Sequence, residues 1–154
     1  VARMPMAIVN GLRINYVRID DGGDATREDL VMVHGLATNL AFWYLKYAPQ
    51  VARRFRVTLF DLRGHGRTDM PPSDYSPATM ARDLAGLMDQ LGIEKAHFLA
   101  HSFGGVVTMN FAVQQPERVR RAMRPSIKPQ AVRRAAVATD PVPQASVSSS
   151  TPRS

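Results

Sequence analysis

The segment His97-Phe98-Leu99-Ala100-His101-Ser102-Phe103-Gly104-Gly105-Val106-Val107 decides the fold. An apolar strand pattern stops at Ser102, and an apolar helix pattern begins directly after it. A serine on such a sharp strand-to-helix turn projects its hydroxyl clear of the backbone at the carboxyl end of a sheet, as a serine nucleophile requires. The segment therefore predicts a strand, a tight turn and a helix, and it makes Ser102 a candidate nucleophile.

The length of 154 residues and the 45% hydrophobic content are typical of a single globular domain. The sequence has no cysteine, which excludes disulfide bonds and thiolate metal ligands. No apolar run approaches the roughly 18 residues of a membrane-spanning helix, and residues 1–6 are too short and interrupted for a secretory signal. We therefore expect a cytoplasmic protein with no metal ion, no cofactor and no membrane partner.

The net charge of +7 is divided unevenly along the chain. Residues 1–123 carry a net charge of +3, and residues 124–154 carry +4. More than half of the excess thus lies in the last fifth of the chain, which argues against a nucleic-acid partner. Residues 124–154 also contain five Pro and six Ser but no Leu and no aromatic residue. We predict a domain over 1–123 and an irregular or disordered tail over 124–154, because such a composition buries too little apolar surface.

Strand and helix patterns alternate along the first part of the chain. The Asn10-Gly11 pair between two apolar runs predicts a hairpin. Further patterns predict strands at Leu30–Val33, Arg56–Asp61 and Ala96–His101, and helices at Ala41–Arg53, Pro77–Leu91 and Gly104–Gln115. Strands separated by helices indicate an α/β fold, a three-layer sandwich around a mostly parallel sheet. Ligands bind such sheets at the carboxyl ends of the strands, where His34, Asp61 and Ser102 fall.

The predicted helix at Pro77–Leu91 has signals for its first and last residues and a division into an apolar and a polar face. Ser76 is a plausible N-cap, Pro77 suits the first helical position and Gly92 ends the helix. Apolar residues recur at steps of three and four along one face. The polar residues Arg82, Asp83, Asp89 and Gln90 are expected on the opposite, solvated face.

Three blocks together resemble the N-terminal part of an α/β-hydrolase, over roughly residues 7–120. They are Val31–Leu36, Phe60–Thr68 and Ala100–Gly105, in the order and spacing of that family. The third block has Ala100 where the usual pattern has glycine, and alanine is the smallest substitute. The resemblance implies a serine hydrolase that acts on a carboxylic ester or related acyl bond of a small-molecule substrate.

The resemblance also implies roles for individual residues. Ser102 would be the nucleophile. The backbone N–H groups of Phe103 and Leu36 would form the oxyanion hole. His34 and Gly35 would shape the supporting loop, with direct proton transfer by His34 as the alternative.

Three other polar residues each have a structural interpretation and a catalytic alternative. His65 resembles a structural loop residue and is otherwise a candidate base. His101 points away from its neighbour Ser102 if the strand alternation continues, with a catalytic base as the alternative. Asp61 ends a strand and anchors the following loop, with triad acid as the alternative.

Two expected parts of the family pattern are missing after Ser102. The family order is Ser, then an acid, then His, yet only Glu117 and Asp140 follow as acids and no His follows His101. In the family, an apolar strand follows here and lies next to the nucleophile strand. This sequence has the charged segment Arg120–Pro125 at that place, so we expect the strand to be absent or eroded. The C-terminal strands of the fold are therefore predicted to be lacking. The nucleophile strand would then have an unpaired edge, open to a partner chain.

Three hypotheses account for these gaps. Out-of-frame translation beginning near Arg120–Arg124 would explain both the tail composition and the missing residues. A catalytically dead fragment or pseudoenzyme would act at most as a ligand-binding or partner-binding module. A separate chain that supplies the remaining strands, the acid and the His would restore a complete site.

Overall fold

The computed structural model describes residues 5–124. It contains six strands: β1 (Met6–Val9), β2 (Leu12–Ile19), β3 (Glu28–Val33), β4 (Phe55–Phe60), β5 (Ala96–Ala100) and β6 (Val119–Met123). Its α-helices are α1 (Ala41–Tyr44), α2 (Ala48–Val51), α3 (Pro77–Gln90) and α4 (Phe103–Gln114), and a 3-10 turn covers Pro116–Arg118. The tail predicted for 124–154 lies, except for Arg124, outside the described residues.

The six strands form one sheet in the order β1-β2-β4-β3-β5-β6. The β1–β2 and β2–β4 pairs are antiparallel, whereas β3, β4, β5 and β6 run parallel to one another. This arrangement confirms the predicted α/β fold with a mostly parallel sheet.

Strand β3 lies at the centre of the sheet and is buried on both faces. Val31 and Val33 pack in a cluster with residues of α3 and α4. Leu30 and Met32 face the other way and pack with Trp43 of α1. Alternate side chains of a strand point to opposite faces, so one short apolar strand holds helices on both sides of the sheet. The predicted three-layer architecture is confirmed.

Helix α3 starts and ends where the sequence predicts. The Ser76 Oγ accepts a hydrogen bond from the Thr79 N–H at 3.2 Å, and Pro77 is the first helical residue. Gly92 follows the helix with a φ of +67°, a backbone conformation that favours glycine. Within residues 5–124, no helix combines the length and hydrophobicity needed to cross a bilayer.

The prediction that Asp83 lies on the solvated face of α3 is wrong. Asp83 is buried and accepts two hydrogen bonds from the Arg63 guanidinium, at 2.9 Å and 3.0 Å. The buried ion pair ties α3 to the loop that follows β4. Hydrophobic periodicity cannot reveal it, because the compensating charge comes from a distant loop residue.

The single helix predicted over Ala41–Arg53 is also wrong, because the chain forms the two short helices α1 and α2 there. Pro49 explains the break. A proline has no N–H to donate to the carbonyl of Leu45, and its ring disfavours helical geometry at Ala48. Pro49 instead occupies the first turn of α2, where its missing N–H leaves no bond unmade.

The strand predicted to be absent or eroded next to β5 is present, which corrects that expectation. Strand β6 pairs in parallel with β5, from Ala96 opposite Val119 to Leu99 opposite Met123. Arg120 and Arg121 together oppose the single residue His97, which makes a β-bulge. Within residues 5–124, β6 and not the nucleophile strand therefore forms this edge of the sheet.

Strand β6 escapes detection in the sequence because its stability does not come from apolar burial. Four of its five side chains are exposed. Its first residue follows Arg118, which donates to the carbonyls of Ile93 at 2.7 Å and Glu94 at 3.0 Å. Arg120 pairs with Glu28 of β3 at 3.0 Å. Backbone pairing with β5 and these arginine contacts stabilise β6, although its sequence is typical of a charged loop.

The buried Arg63–Asp83 pair should dominate the polar contribution of α3 to stability. We expect Asp83→Asn to lower the free energy of unfolding by about 3 kcal/mol, because it leaves the guanidinium buried and unpaired. Asp89→Asn is the matched control on the same helix. The Asp89 side chain is 67% exposed and that of Asp83 only 3%, so its pair with Arg118 contributes at most about 1 kcal/mol. Urea denaturation measures both, and equal losses would contradict this ranking.

Candidate active site at the carboxyl ends of the strands

Ser102 lies on the predicted turn between β5 and α4, with an exposed side chain. Its backbone has φ +52° and ψ −120°, a region that residues other than glycine rarely adopt. Such a conformation costs on the order of 1–3 kcal/mol and persists only where the surrounding structure imposes it. The predicted abrupt reversal of the chain at Ser102 is therefore confirmed as backbone geometry.

Two glycines allow the loop after β3 and the start of α4 to come close enough to impose this turn. A Cβ atom on Gly104 would lie 2.5 Å from the carbonyl oxygens of Val33 and His34. A Cβ atom on Gly35 would lie 3.1 Å from the Cβ of Ser102. Because β3 and β5 are parallel neighbours, their carboxyl ends deliver these two segments to the same point on the sheet edge.

Two backbone amides in these segments have no hydrogen-bond acceptor among residues 5–124. Phe103 is the first residue of α4, so its N–H has no acceptor within the helix. Among residues 5–124, neither this N–H nor that of Leu36 donates a hydrogen bond to another residue. Free amides at a helix start favour negative charge.

His34 is completely buried beneath the loop after β3. Its Nε2 accepts a hydrogen bond from the Leu62 N–H at 2.9 Å, and its Nδ1 lies 2.7 Å from the Gly35 carbonyl oxygen. Burial is the main cause that lowers the pKa of His34 from its ordinary value, and the nearby His65 lowers it further. Both ring nitrogens are engaged, so the geometry does not favour the alternative in which His34 takes a proton from Ser102.

Asp61 joins three segments below the site. Its Oδ1 accepts from the Leu40 N–H at 2.8 Å. Its Oδ2 accepts from the Asn15 side chain at 2.7 Å and from the Arg67 N–H at 2.9 Å. The carboxylate contacts no imidazole through these bonds, so the arrangement matches the loop-anchor interpretation of Asp61 and not the triad acid.

The two other histidines near the sheet edge have separate surroundings. The His65 Nδ1 lies 3.0 Å from the Arg63 carbonyl oxygen. The His101 ring stacks on Phe42, with ring centroids 4.7 Å apart. Across residues 5–124, no imidazole or carboxylate hydrogen-bonds the Ser102 hydroxyl. The described part of the chain thus brings together a serine and free amides but no base.

Asn15 is a structurally important residue that the sequence analysis missed. Its side chain holds Asp61, and its N–H donates to the Thr68 Oγ1 at 3.0 Å. The Thr68 hydroxyl in turn donates to the Asp61 carbonyl at 2.7 Å. The available signal was a polar residue at an inward-facing position of β2, between apolar neighbours.

An apolar cavity of about 340 Å³ opens beside Ser102, between α4 and β6. Its walls include Val106 and Met109 of α4 and Met123 of β6, all of them substantially exposed. Arg124 lies at its rim. Exposed apolar side chains that line one cavity mark a place where another molecule binds or another segment packs.

Comparisons with known proteins agree with this geometry. The sequence model of the alpha/beta hydrolase fold family matches residues 30–145, which runs past the boundary predicted at 123 and leaves that boundary a prediction. A 2-hydroxy-6-oxononadienedioate/2-hydroxy-6-oxononatrienedioate hydrolase of Comamonas testosteroni is 36% identical over 112 residues, which are 70% of this chain and 38% of that protein.

Two solved structures extend the comparison. The enol-lactonase from Burkholderia xenovorans LB400 superposes with a TM-score of 0.71 at 32% identity and covers 77% of this chain and 45% of its own. The epoxide hydrolase CorEH superposes with a TM-score of 0.72 at 31% identity and covers 79% of this chain and 41% of its own. The chain therefore spans less than half the length of each of these relatives.

Burial of His34 predicts a loss of stability in mild acid. Its pKa is lowered in the folded protein, so below pH about 6.5 the unfolded chain binds a proton that the folded protein excludes. The free energy of unfolding should then fall by up to about 1.4 kcal/mol for each pH unit, until the folded-state pKa is reached. Urea denaturation between pH about 7.5 and about 5.5 measures the slope, with His34→Asn as the control that lacks this group. An unchanged slope in the variant would contradict the prediction.

Proposed function

Because this chain belongs to the alpha/beta hydrolase family, we propose that it carries the nucleophile of a serine hydrolase that cleaves a carboxylic ester or related acyl bond. The observation that carries the proposal is the strained backbone of Ser102 with its exposed hydroxyl. Packing alone favours glycine at such a φ and ψ, so a serine there supports a chemical role.

The proposed reaction proceeds through an acyl-enzyme. The Ser102 Oγ bonds to the carbonyl carbon and its proton passes to a base, while the C=O electron pair moves onto oxygen. The N–H groups of Phe103 and Leu36 donate to that oxyanion. The bond to the leaving alcohol then breaks, the alcohol takes the proton, and water releases the acid by the same steps.

The substrate we propose is a small molecule with an apolar acyl or alcohol part. The apolar cavity beside Ser102 supports this class. The enol-lactonase relative acts on a cyclic ester by its name, which favours acyl chemistry, whereas the epoxide hydrolase acts on a different bond. We also propose a cytoplasmic location and no membrane partner. We propose no nucleic-acid partner either, because more than half of the net positive charge lies in residues 124–154.

We propose that a partner polypeptide supplies the missing base and acid. No imidazole or carboxylate hydrogen-bonds the Ser102 hydroxyl among residues 5–124. Next to Ser102, the helix α4 leaves Met109 70% exposed and Val113 84% exposed, and no other strand within residues 5–124 pairs with the outer edge of β6. A polypeptide that covers this face would bury the apolar side chains and reach Ser102.

The alternative is a catalytically inactive module that binds a ligand or a partner through the same face. The observation in its favour is the lack of any imidazole bonded to Ser102 among residues 5–124. The two proposals differ in whether the Ser102 hydroxyl reacts, which a covalent probe reports directly.

Reaction with a fluorophosphonate probe should separate the two proposals. If the proposed hydrolase site is assembled, the probe labels Ser102, and Ser102→Ala abolishes both labelling and the turnover of p-nitrophenyl esters. Ser73→Ala, at an exposed serine, is the matched control and should retain both. Peptide mass spectrometry locates the label. A chain that remains unlabelled at Ser102 and turns over no ester contradicts the hydrolase proposal and favours the inactive module.

Exposure of the α4 face should make the isolated chain self-associate. Met109→Lys should raise the protein concentration required for association about tenfold or more, because covering a Met side chain contributes about 1.5–3 kcal/mol. Gln50→Lys adds the same charge on α2, away from this face, and should leave association unchanged. Light scattering over a concentration series measures both. If both variants raise the concentration required for association equally, the effect is one of added charge in general, which would contradict association through the α4 face.

A further inference from the structure

We propose that a cavity at the amino ends of β3, β5 and β6 binds a phosphate group. The site lies at the opposite end of the strands from the proposed nucleophile and does not depend on the proposed function. The cavity has a volume of about 600 Å³ and opens to the surface. Lys95, Arg120 and Arg121 line it, together with His97 and Glu28.

The cavity carries more positive than negative charge. Glu28 is the only carboxylate among the described residues that line it. This carboxylate pairs with Arg120 at 3.0 Å and contacts the His97 Nε2 at 2.5 Å. Within residues 5–124, Lys95 and Arg121 form no ion pair. Two cations of the described chain therefore remain uncompensated there, which matches the charge of about −2 on a phosphate monoester near neutral pH.

A β-bulge brings the two arginines to the same side of β6. In a regular strand, successive side chains point to opposite faces of the sheet. Arg120 and Arg121 together oppose His97 of β5, and this extra residue breaks the alternation. Both arginines consequently line the same cavity. Bulges that redirect a side chain are frequent next to functional sites, so this one supports a binding role.

The contact of Arg120 separates this cluster from charges that only protect a sheet edge. Charged side chains on edge strands often prevent pairing with another chain, and that role requires no contact with interior strands. Arg120 instead reaches across β5 to Glu28, on the third strand from the edge. Glu28 thus holds one guanidinium at the cavity wall, and less side-chain freedom is lost when an anion binds.

The uncompensated side chains have the chemistry that binds phosphate. A guanidinium donates two parallel N–H bonds to phosphate oxygens, and an ammonium group adds a point charge. Arg121 and Lys95 supply one of each. The pKa of Glu28 is lowered, first by the hydrogen bond from His97 and further by the charges of Arg120 and Arg121. Glu28 therefore stays ionised at neutral pH, and the charge of Arg121 acts close to it.

The shape of the site favours a single phosphate group over a nucleic-acid backbone. A nucleic-acid strand binds along a positively charged groove that follows its phosphates, whereas these cations converge on one cavity. The carboxylate of Glu28 lies among them and would repel a row of phosphates. The Phe55 ring also lines the cavity, with its centroid 5.4 Å from that of the His97 ring. It offers an apolar wall to the organic part of a phosphate monoester.

Titration of the full chain with inorganic phosphate tests the site. Chloride keeps the ionic strength constant, and NMR follows the backbone amide signals of 15N-labelled protein at neutral pH. We expect the His97 and Arg121 signals to shift with a dissociation constant on the order of 1 mM. The Leu36 and Phe103 signals report separately on the amides beside Ser102, which also attract anions. Shifts confined to those two residues would overturn the inference.

Substitutions of the two uncompensated cations test which side chains bind the phosphate. Arg121→Gln and Lys95→Gln break no ion pair of the described chain, and each should weaken phosphate binding about tenfold or more, because a hydrogen bond to a charged group is lost. Arg82→Gln is the matched control, since it removes an exposed charge on α3, and should change binding by less than about twofold. Equal weakening in all three variants, or none in Arg121→Gln, would overturn the inference.

Phenyl phosphate then identifies the source of the phosphate group. Binding about tenfold tighter than that of inorganic phosphate supports a small phosphate monoester whose ring contacts Phe55, and equal binding supports the free ion. A single-stranded oligodeoxynucleotide is the third ligand, measured at the same salt concentration. If it binds more tightly than phenyl phosphate, the cations serve a nucleic acid and the inference is overturned.

Discussion

The close contact between the first turn of α4 and the end of β3 is the constraint on which the site depends. Gly104 lies directly against the carbonyls of Val33 and His34, where no Cβ atom would fit. This contact forces the chain to reverse at Ser102 and places Phe103 at a helix start. It also brings the loop after β3 next to the serine. The serine, the two free amides and the buried histidine therefore follow from one steric condition.

A polar network below this contact keeps the loops in place. Asp61 and His34 accept backbone N–H groups from the loops after β3 and β4, and Asn15 links them to β2. The carboxylate oxygens of Asp61 and both ring nitrogens of His34 are matched across a loop, which rigidifies such a site, whereas the buried Asn15 Oδ1 has no hydrogen-bond partner among the described residues. The described residues thus place the Ser102 hydroxyl beside the Phe103 and Leu36 amides, which donate no hydrogen bond within residues 5–124, and bring no imidazole or carboxylate into a hydrogen bond with it.

The elements that carry their own local signal were predictable from the sequence. The strand before Ser102 and the helix capped by Ser76 have apolar periodicity and turn residues that act over a few positions. Strand β6 and the buried Asp83 have no such signal, because backbone pairing to β5 and the distant Arg63 stabilise them. For the site, the family blocks predicted the turn, the loop and Asp61 as an anchor, but the role of Asn15 depends on a partner 46 positions away.

The backbone angles of Ser102 have an energetic meaning as well as a chemical one. A glycine at position 102 would adopt φ +52° without strain, so the fold itself selects against the side chain that stands there. The serine at position 102 is thus held at a conformational cost of about 1–3 kcal/mol that a glycine would not carry. Replacing it by glycine would relieve the turn and remove the hydroxyl in the same step.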